Sequence, residues 1–353
     1  MKAVYIIGIT LVGLVSIGLA FLFAPAGANQ DPAQKVTAQD GTAQEVAAQK
    51  GTPYAEIANP SGFVNTDGVT IGQLVGKKVI LVDFMTYSCI NCQRTFPYLV
   101  AWYEKYKDQG LEIVGIHTPE FAFEKDIGNV RAAMKRFGIT YPVVLDNDYA
   151  TWRAYGNQYW PRKYLIDIHG NIVYDHAGEG AYEETEMKIR GLLLERSRLL
   201  GGGSLNAGNL AASQMPGIQN AARSPETYFG SLRNEYLANG TPGRSGEQRF
   251  SVPQSSARNA LYLGGTWNIM PEYAESISSA SVFYKYHAKA VYIVAEADTA
   301  AELEVWQDGV LQRTLRIQES TLYTLIQDET GGEHELELRV KDSRIRLYAF
   351  TFG

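Results

Sequence analysis

The stretch LVDFMTYSCINCQRTFP, residues 81–97, holds both cysteines of the chain, Cys89 and Cys92. The apolar run KVILVDFM before the pair predicts a buried strand, and a helical pattern follows to about Lys107. Cys89 therefore lies near the start of a helix, where the helix dipole and free backbone N–H groups stabilise a thiolate. A thiolate is the attacking species in disulfide exchange, and Cys92, one turn further on, is placed to resolve the mixed disulfide.

Two other uses of the cysteine pair fit the sequence poorly. A structural zinc site needs four ligands at short spacing, whereas the five histidines are scattered along the chain. A structural disulfide between Cys89 and Cys92 would close a very small loop and so constrain the unfolded chain little. The sequence thus predicts a redox-active pair, no metal site, and no cofactor other than the Cys89–Cys92 disulfide.

Length and composition favour a globular protein of two domains. The chain has 353 residues, of which 45% are hydrophobic and 20% charged. This content supplies enough apolar material for a packed core, and the length makes two domains likelier than one. The formal net charge is -6. A main role in binding nucleic acid is therefore disfavoured, because it relies on clustered Lys and Arg.

The N-terminal segment predicts export. Residues 3–24 contain no charge and match the length of a bilayer core. AGA at 26–28 resembles a signal-peptidase site, so residues 1–28 are either a cleaved signal peptide or an uncleaved membrane anchor. Residues 29–52 form a low-complexity linker with a degenerate five-residue repeat and no aromatic residue. Either interpretation places the remainder in the periplasm or on the outer face of the cytoplasmic membrane.

The remaining chain divides into two regions of different pattern. Residues 53–200 alternate strand and helix, which predicts an α/β domain with a central mixed sheet flanked by helices. Residues 201–223 break every periodicity and form a second linker. Residues 224–353 read as alternating strands with turn signals, with no convincing helix, and predict an all-β sandwich.

Several motifs together resemble one family. The strand, the Cys89–Cys92 pair and the following Pro97 look like a thioredoxin-fold active site, and YWPRKYLIDIHGNIV resembles that fold's cis-proline and hairpin. YSCINCQRTFPYL, GIHTPEFAFEK, YPVVLDND and HAGEGAY resemble the TlpA-like redoxin domain of the DipZ family. SPETYFG and YAFTFG resemble its C-terminal jelly-roll, carbohydrate-module-like domain. DipZ proteins are envelope thiol-disulfide oxidoreductases that typically begin with a multi-span CcdA-like membrane domain, whereas this chain has at most one hydrophobic segment.

The resemblance implies roles for individual residues. Cys89 is the nucleophile, and Asp83, a buried acid six residues before it, would accept the Cys92 proton through water. Pro161 is expected to follow a cis peptide bond, and the backbone of Trp160 to pair with an extended substrate. Glu120 is expected to approach the cysteines.

The expected function is that of an exported thiol-disulfide oxidoreductase acting on envelope proteins. If it works as a reductase, the electrons have to come from a separate CcdA-type membrane protein. Ile90 and Asn91 between the cysteines carry no charge. They therefore add no stabilisation of the thiolate, and we expect a reducing or intermediate potential.

Two alternative functions remain open from the sequence. A peroxiredoxin-like peroxidase would have Thr86 three residues before Cys89, as here, but it requires a proline where this chain has Val82. A redox-sensing protein could instead bind a glycan or an envelope partner on the β-sandwich. Trp267, Tyr273 and Trp306 could then stack on sugars, although such aromatics more often fill a core.

Overall fold

Two β-sheets organise the chain, one between residues 52 and 177 and the other between residues 227 and 352. The computed structural model describes residues 51–201, 208–215, 222–252, 254–341 and 344–353. The predicted signal peptide or anchor lies outside these residues, and so does the first linker apart from its last two positions. Among the helices that are described, none has the length and apolar character needed to cross a membrane.

The first sheet is mixed, with helices on both faces. Its strands are β1 (Thr52–Pro53), β2 (Gly62–Val64), β3 (Val79–Met85), β4 (Leu111–His117), β5 (Val143–Leu145), β6 (Arg162–Ile166) and β7 (Asn171–Ala177). The helices are α1 (Ile71–Leu74), α2 (Ile90–Tyr106), α3 (Ile127–Arg136), α4 (Ala150–Ala154) and α5 (Tyr182–Leu200). The strand order is β1-β7-β6-β3-β4-β5-β2, with β3, β4 and β5 parallel and β6 antiparallel to β3. This is the predicted thioredoxin-like arrangement.

Strand β3 is buried along its whole length because both faces of the sheet are covered. Leu81 and Met85 belong to the core that contains α2 and α5, whereas Ile80 and Val82 belong to the core on the opposite face. Successive side chains of a strand point to opposite faces. Asp83 therefore faces the α2 side, where the cysteines are.

The second sheet is antiparallel throughout. Its strands are β8 (Thr227–Tyr228), β9 (Gly246–Phe250), β10 (Leu261–Ile269), β11 (Ala274–Ala297), β12 (Ala301–Gln307), β13 (Val310–Ile317), β14 (Thr321–Val340) and β15 (Ile345–Phe352). Strand β15 pairs with both ends of β11, since Leu347 is opposite Ala274 at one end and opposite Ala295 at the other. The long strand β11 thus bends back on itself and closes the sheet around one core.

Trp267, one candidate for sugar stacking, fills that core instead. Its side chain is completely buried, and its Nε1 donates to the carbonyl of Gly264 at 2.9 Å. Trp267→Ala is expected to lower the free energy of unfolding by about 3–5 kcal/mol, since a large cavity would remain. Trp306, half-buried under the Arg339 guanidinium at 4.0 Å, is the control, and its replacement by Ala should cost about 1 kcal/mol. Urea denaturation followed by circular dichroism measures the free energy of unfolding of both variants. Equal losses of stability in the two would contradict the assignment of Trp267 to the core.

Candidate active site

The two cysteines open helix α2 in the order that the sequence predicts. Cys89 is the N-cap residue, with extended backbone at φ -76° and ψ 120°, and its carbonyl accepts a hydrogen bond from Gln93 N at 3.0 Å. Cys89 is half-buried and Cys92 is buried, and both are free thiols. One sulfur therefore reaches the surface at the positive end of the helix, while the other lies beneath it.

The Cys92 thiol does not readily lose its proton. Burial raises the pKa of the Cys92 thiol well above its ordinary value, and a hydrogen bond with Cys89 and the charges of Cys89 and Asp83 raise it further. A thiol in this state resolves a mixed disulfide only if a nearby base takes its proton. Cys92 therefore requires a base close to its sulfur if it is to act as the resolving thiol.

Asp83 has the properties of such a base. Its side chain is completely buried, and burial raises the pKa of the carboxyl to about 7, although the nearby Lys163 ammonium opposes the shift. Within the described part of the chain, neither carboxylate oxygen has a hydrogen-bond partner. A buried polar atom of this kind is commonly satisfied by water, which fits the predicted proton transfer from Cys92 through water. The role itself stays a prediction.

Lys163 is a functional candidate that the sequence analysis missed. It lies opposite Asp83 in the antiparallel pairing of β3 with β6, is 1% exposed, and donates from Nζ to the carbonyl of Gly178 at 3.2 Å. Burial lowers the pKa of this lysine, while the Asp83 and Cys92 charges raise it. The buried acid thus has a buried basic partner, whose positive charge opposes the rise in the Asp83 pKa that burial causes.

Glu124 is a second missed residue. Its carboxylate is completely buried and accepts hydrogen bonds at Oε1 from the backbone N and the Oγ of Ser88, at 3.3 and 2.6 Å. Burial raises the pKa of this carboxyl, although these hydrogen bonds oppose the shift. Ser88 immediately precedes Cys89, so the Glu124 side chain fixes the peptide that leads into the nucleophile.

The peptide bond between Trp160 and Pro161 is cis, as the resemblance implied. Pro161 directly precedes β6, and Trp160 packs against the core that contains Cys92. The indole Nε1 of Trp160 donates to the carbonyl of Thr118 at 3.1 Å. The part that the Trp160 backbone plays in binding substrate stays a prediction.

Comparison with known proteins places this arrangement in a family. Two family models match, Redoxin over residues 30–193 and Thioredoxin like C-terminal domain over residues 224–353. Thiol-disulfide oxidoreductase YkuV of Bacillus subtilis is 30% identical over 143 residues, which are 40% of this chain and 95% of YkuV. Protein DipZ of Mycobacterium bovis is 37% identical over 331 residues, which are 92% of this chain and 46% of that protein. The chain belongs to the thioredoxin-like proteins and is DipZ-like in both of its parts.

This DipZ-like chain spans about half the length of the curated DipZ relatives it matches. The matched residues include both sheets, because the alignment covers 92% of the chain. The likeness to YkuV covers 40% of the chain and matches almost the whole of that smaller protein. The family assignment therefore rests on both parts of the chain.

In this DipZ-like structure Glu120 has other contacts than the sequence suggested. Its carboxylate accepts hydrogen bonds from Arg233 Nη1 at 2.8 Å and from Tyr228 Oη at 3.0 Å, both in the region of the second sheet. The acid that reaches the segment before Cys89 is Glu124, four residues later. Glu120 and Glu124 stand at the two ends of the run EFAFE, so the sequence alone does not distinguish between the two acids. A catalytic role for Glu120 stays a prediction that these contacts do not support.

The structure shows where the two positions of the peroxidase pattern, Thr86 and Val82, lie. Thr86 Oγ1 lies 3.5 Å from His117 Nε2, and Val82 is buried inside β3. Burial lowers the pKa of His117 to about 3, so the ring is neutral at ordinary pH. His117 stacks on Tyr87 with ring centroids 5.6 Å apart, which gives this strand-end histidine a packing role.

Proposed function

We propose that this DipZ-like protein is a thiol-disulfide oxidoreductase that reduces disulfides in envelope proteins. The observation that supports it most is the pair of free thiols at the start of α2, with Cys89 half-buried and Cys92 buried and influenced by the charge of Asp83, a carboxyl whose pKa is raised to about 7. Relatives named thiol-disulfide oxidoreductases support it further. These include YkuV and ResA of Halalkalibacterium halodurans, the latter 34% identical over 112 residues, which are 32% of this chain and 60% of ResA.

The proposed reaction has two exchange steps. The Cys89 thiolate attacks one sulfur of the substrate disulfide, so a mixed disulfide forms and one substrate thiolate leaves. Cys92 then gives its proton through water to Asp83 and attacks the Cys89 sulfur. The Cys89–Cys92 disulfide forms and the second substrate thiolate leaves, so the substrate gains two electrons and the protein loses two.

A return of the protein to its dithiol form requires a two-electron donor. We propose a CcdA-type membrane protein for this role, because the expected site of action lies outside the cytoplasm. The hydrophobic segment within residues 1–28 would export the chain, to the periplasm or the outer face of the cytoplasmic membrane, and would hold it at that membrane if it is not cleaved. The second sheet would dock a partner, for which an envelope protein or a glycan is proposed.

Trapping of mixed disulfides in cells tests the proposal. Cys92→Ala removes the resolving thiol, so envelope proteins should accumulate as adducts of Cys89 that a reductant releases. The double variant Cys89→Ala and Cys92→Ala is the control, and it should trap none. Non-reducing electrophoresis followed by mass spectrometry identifies the adducts. If the single variant captures no more protein than the double variant while the native pair still cycles, protein disulfides are not the substrate.

The two alternative functions remain predictions. Peroxidase activity would appear as stoichiometric consumption of peroxide by a Cys92→Ser variant. Glycan binding would have to use aromatic rings other than the buried Trp267. Tyr273 is half-buried with its ring 5.1 Å from that of Tyr348, so part of its surface is already covered.

A further inference from the structure

The segment before Cys89 is held on one side by a buried carboxylate. Glu124 Oε1 accepts both hydrogen bonds from Ser88, and Oε2 accepts from the backbone N of Glu120 at 2.6 Å and of Phe121 at 3.1 Å. Four donors thus converge on one carboxylate, and the Thr86 side chain adds a further hydrogen bond to it. This group ties the cysteine segment to the turn at residues 120–125.

The same turn is held on its other side by the second domain. The rings of Phe121 and Phe123 lie 5.0 and 4.9 Å from the ring of Tyr348 in β15. Arg233 forms an ion pair with Glu120 at 2.8 Å, and its guanidinium lies 5.4 Å from the centre of the Phe121 ring. The turn therefore lies between the cysteine segment and the second sheet.

A direct contact joins the second domain to the cysteine segment as well. Tyr87, two residues before Cys89, donates from Oη to the carbonyl of Ser320 at 3.1 Å. The carbonyl of Tyr87 accepts from Gln93 Nε2, in the first turns of α2, at 2.8 Å. Tyr87 and Ser88 are thus both anchored, one directly by the second domain and the other through Glu124.

We propose that the second domain positions the nucleophile, and that Glu124 is the positioning residue through which it acts. The proposal rests on the exchange chemistry described above and adds to it what the second domain does for the site. A docked second domain holds the turn at 120–125, the turn holds Glu124, and Glu124 holds Ser88. Cys89 is thereby kept at the N-cap, where the helix stabilises its thiolate.

The consequence is measurable at equilibrium. Only the reduced form carries the Cys89 thiolate, so loosening of the segment before it destabilises the dithiol form relative to the disulfide. In the full chain, Glu124→Gln removes one of the two accepting oxygens and should shift the equilibrium with glutathione towards the disulfide by about threefold or more. Arg233→Gln, which removes the contacts of Arg233 with Glu120, Phe121 and Tyr228, should shift it in the same direction by about twofold.

Matched variants separate positioning from general damage. Glu112→Gln removes a half-buried carboxylate that accepts from Tyr103 on the same domain, and Arg258→Gln removes an exposed arginine that pairs with Glu333 within the second domain. Neither control should move the equilibrium. The double variant Glu124→Gln and Arg233→Gln should shift it no further than Glu124→Gln alone, because both act along one chain of contacts.

The outcomes distinguish this proposal from the proposed function. If the wild-type pair never equilibrates with glutathione, the exchange chemistry itself is wrong. If the pair equilibrates but Glu124→Gln or Arg233→Gln matches its control, or their effects add, the positioning role is wrong and the exchange chemistry stands. Should Glu124→Gln fail to fold, Ser88→Ala removes the hydroxyl hydrogen bond to Glu124 Oε1 and leaves the backbone one, and it is expected to shift the equilibrium in the same direction.

Discussion

Replacement of Cys89 by Ser is expected to abolish the reduction of insulin disulfides, with a fall in rate of about 1000-fold or more. A serine hydroxyl at the N-cap keeps the shape of the site. It remains protonated at neutral pH, however, and does not form the disulfide that carries the electrons. The measurement is the turbidity of reduced insulin with dithiothreitol as the electron source. A Cys89→Ser variant that keeps more than a tenth of the wild-type rate would rule out Cys89 as the nucleophile.

Cys92→Ser is the matched control for this experiment. It leaves Cys89 and its N-cap position intact, so the first exchange step should still occur and produce a mixed disulfide. Turnover should stop at that stage because the resolving sulfur is missing. The two single serine variants therefore differ in whether an adduct accumulates, although both lose turnover. Circular dichroism of each variant checks that the fold is unchanged.

Asp83→Asn is expected to lower the rate of insulin reduction by about 100-fold at pH 7, because the buried Cys92 thiol loses its proton acceptor. The pKa of Asp83 is raised to about 7, so the acid is an active base only as pH rises through that value. The wild-type rate should therefore increase with pH around 7, and this step should be missing in Asp83→Asn. A pH profile of the single-turnover rate between pH 5.5 and 9 measures it.

The same substitution should have the opposite effect on stability. The folded-state pKa of Asp83 lies above its ordinary value of 3.8, so the protonated form favours folding and stability is lost as pH rises from about 4 to about 7. Asn carries no charge at any pH. We expect the free energy of unfolding at pH 8 to rise by about 1–2 kcal/mol, below the ceiling of roughly 4 kcal/mol set by the shift, since Lys163 loses its partner.

Asp175→Asn provides the control for both measurements. Asp175 lies on β7, is exposed, and pairs with Arg162 at 2.6 Å. Its replacement removes an aspartate of the same sheet without touching the buried carboxyl beneath Cys92. Neither the pH profile nor the stability at pH 8 should change by more than a small amount. If Asp83→Asn behaves like Asp175→Asn, the buried acid has no part in the exchange.

Local signals in the sequence predict the core of the site. The strand, the cysteine pair and the helix follow one another directly, so the N-cap position of Cys89 depends on neighbouring residues alone. The burial of Asp83 follows from the continuous apolar run of β3, and its position on the α2 side follows from the alternation of side chains along that strand. The cis bond at Pro161 came from resemblance to known thioredoxin-like sequences, since the residues around it do not by themselves distinguish cis from trans.

Contacts between distant parts of the chain explain what the sequence did not predict. Lys163 meets Asp83 only through the register of two antiparallel strands, which neither segment encodes separately. The choice between Glu120 and Glu124 depends on the direction of the turn at residues 120–125. That direction is fixed by Arg233 and Tyr348 of the second domain, more than a hundred positions further along.

The closure of the second sheet sets an order of events during biosynthesis. Arg346 in β15 donates to Glu275 at the start of β11, 71 positions earlier, and to Glu296 at its end. Both ends of β11 can pair fully only after β15, the last strand to be synthesised, is present. Pairings between such distant segments form slowly. The redoxin part emerges from the ribosome first, so a chain still being made would hold a folded thiol centre next to unpaired strands. Such edges aggregate readily, and a holding chaperone would raise the yield of full-length protein more than that of residues 51–201 alone.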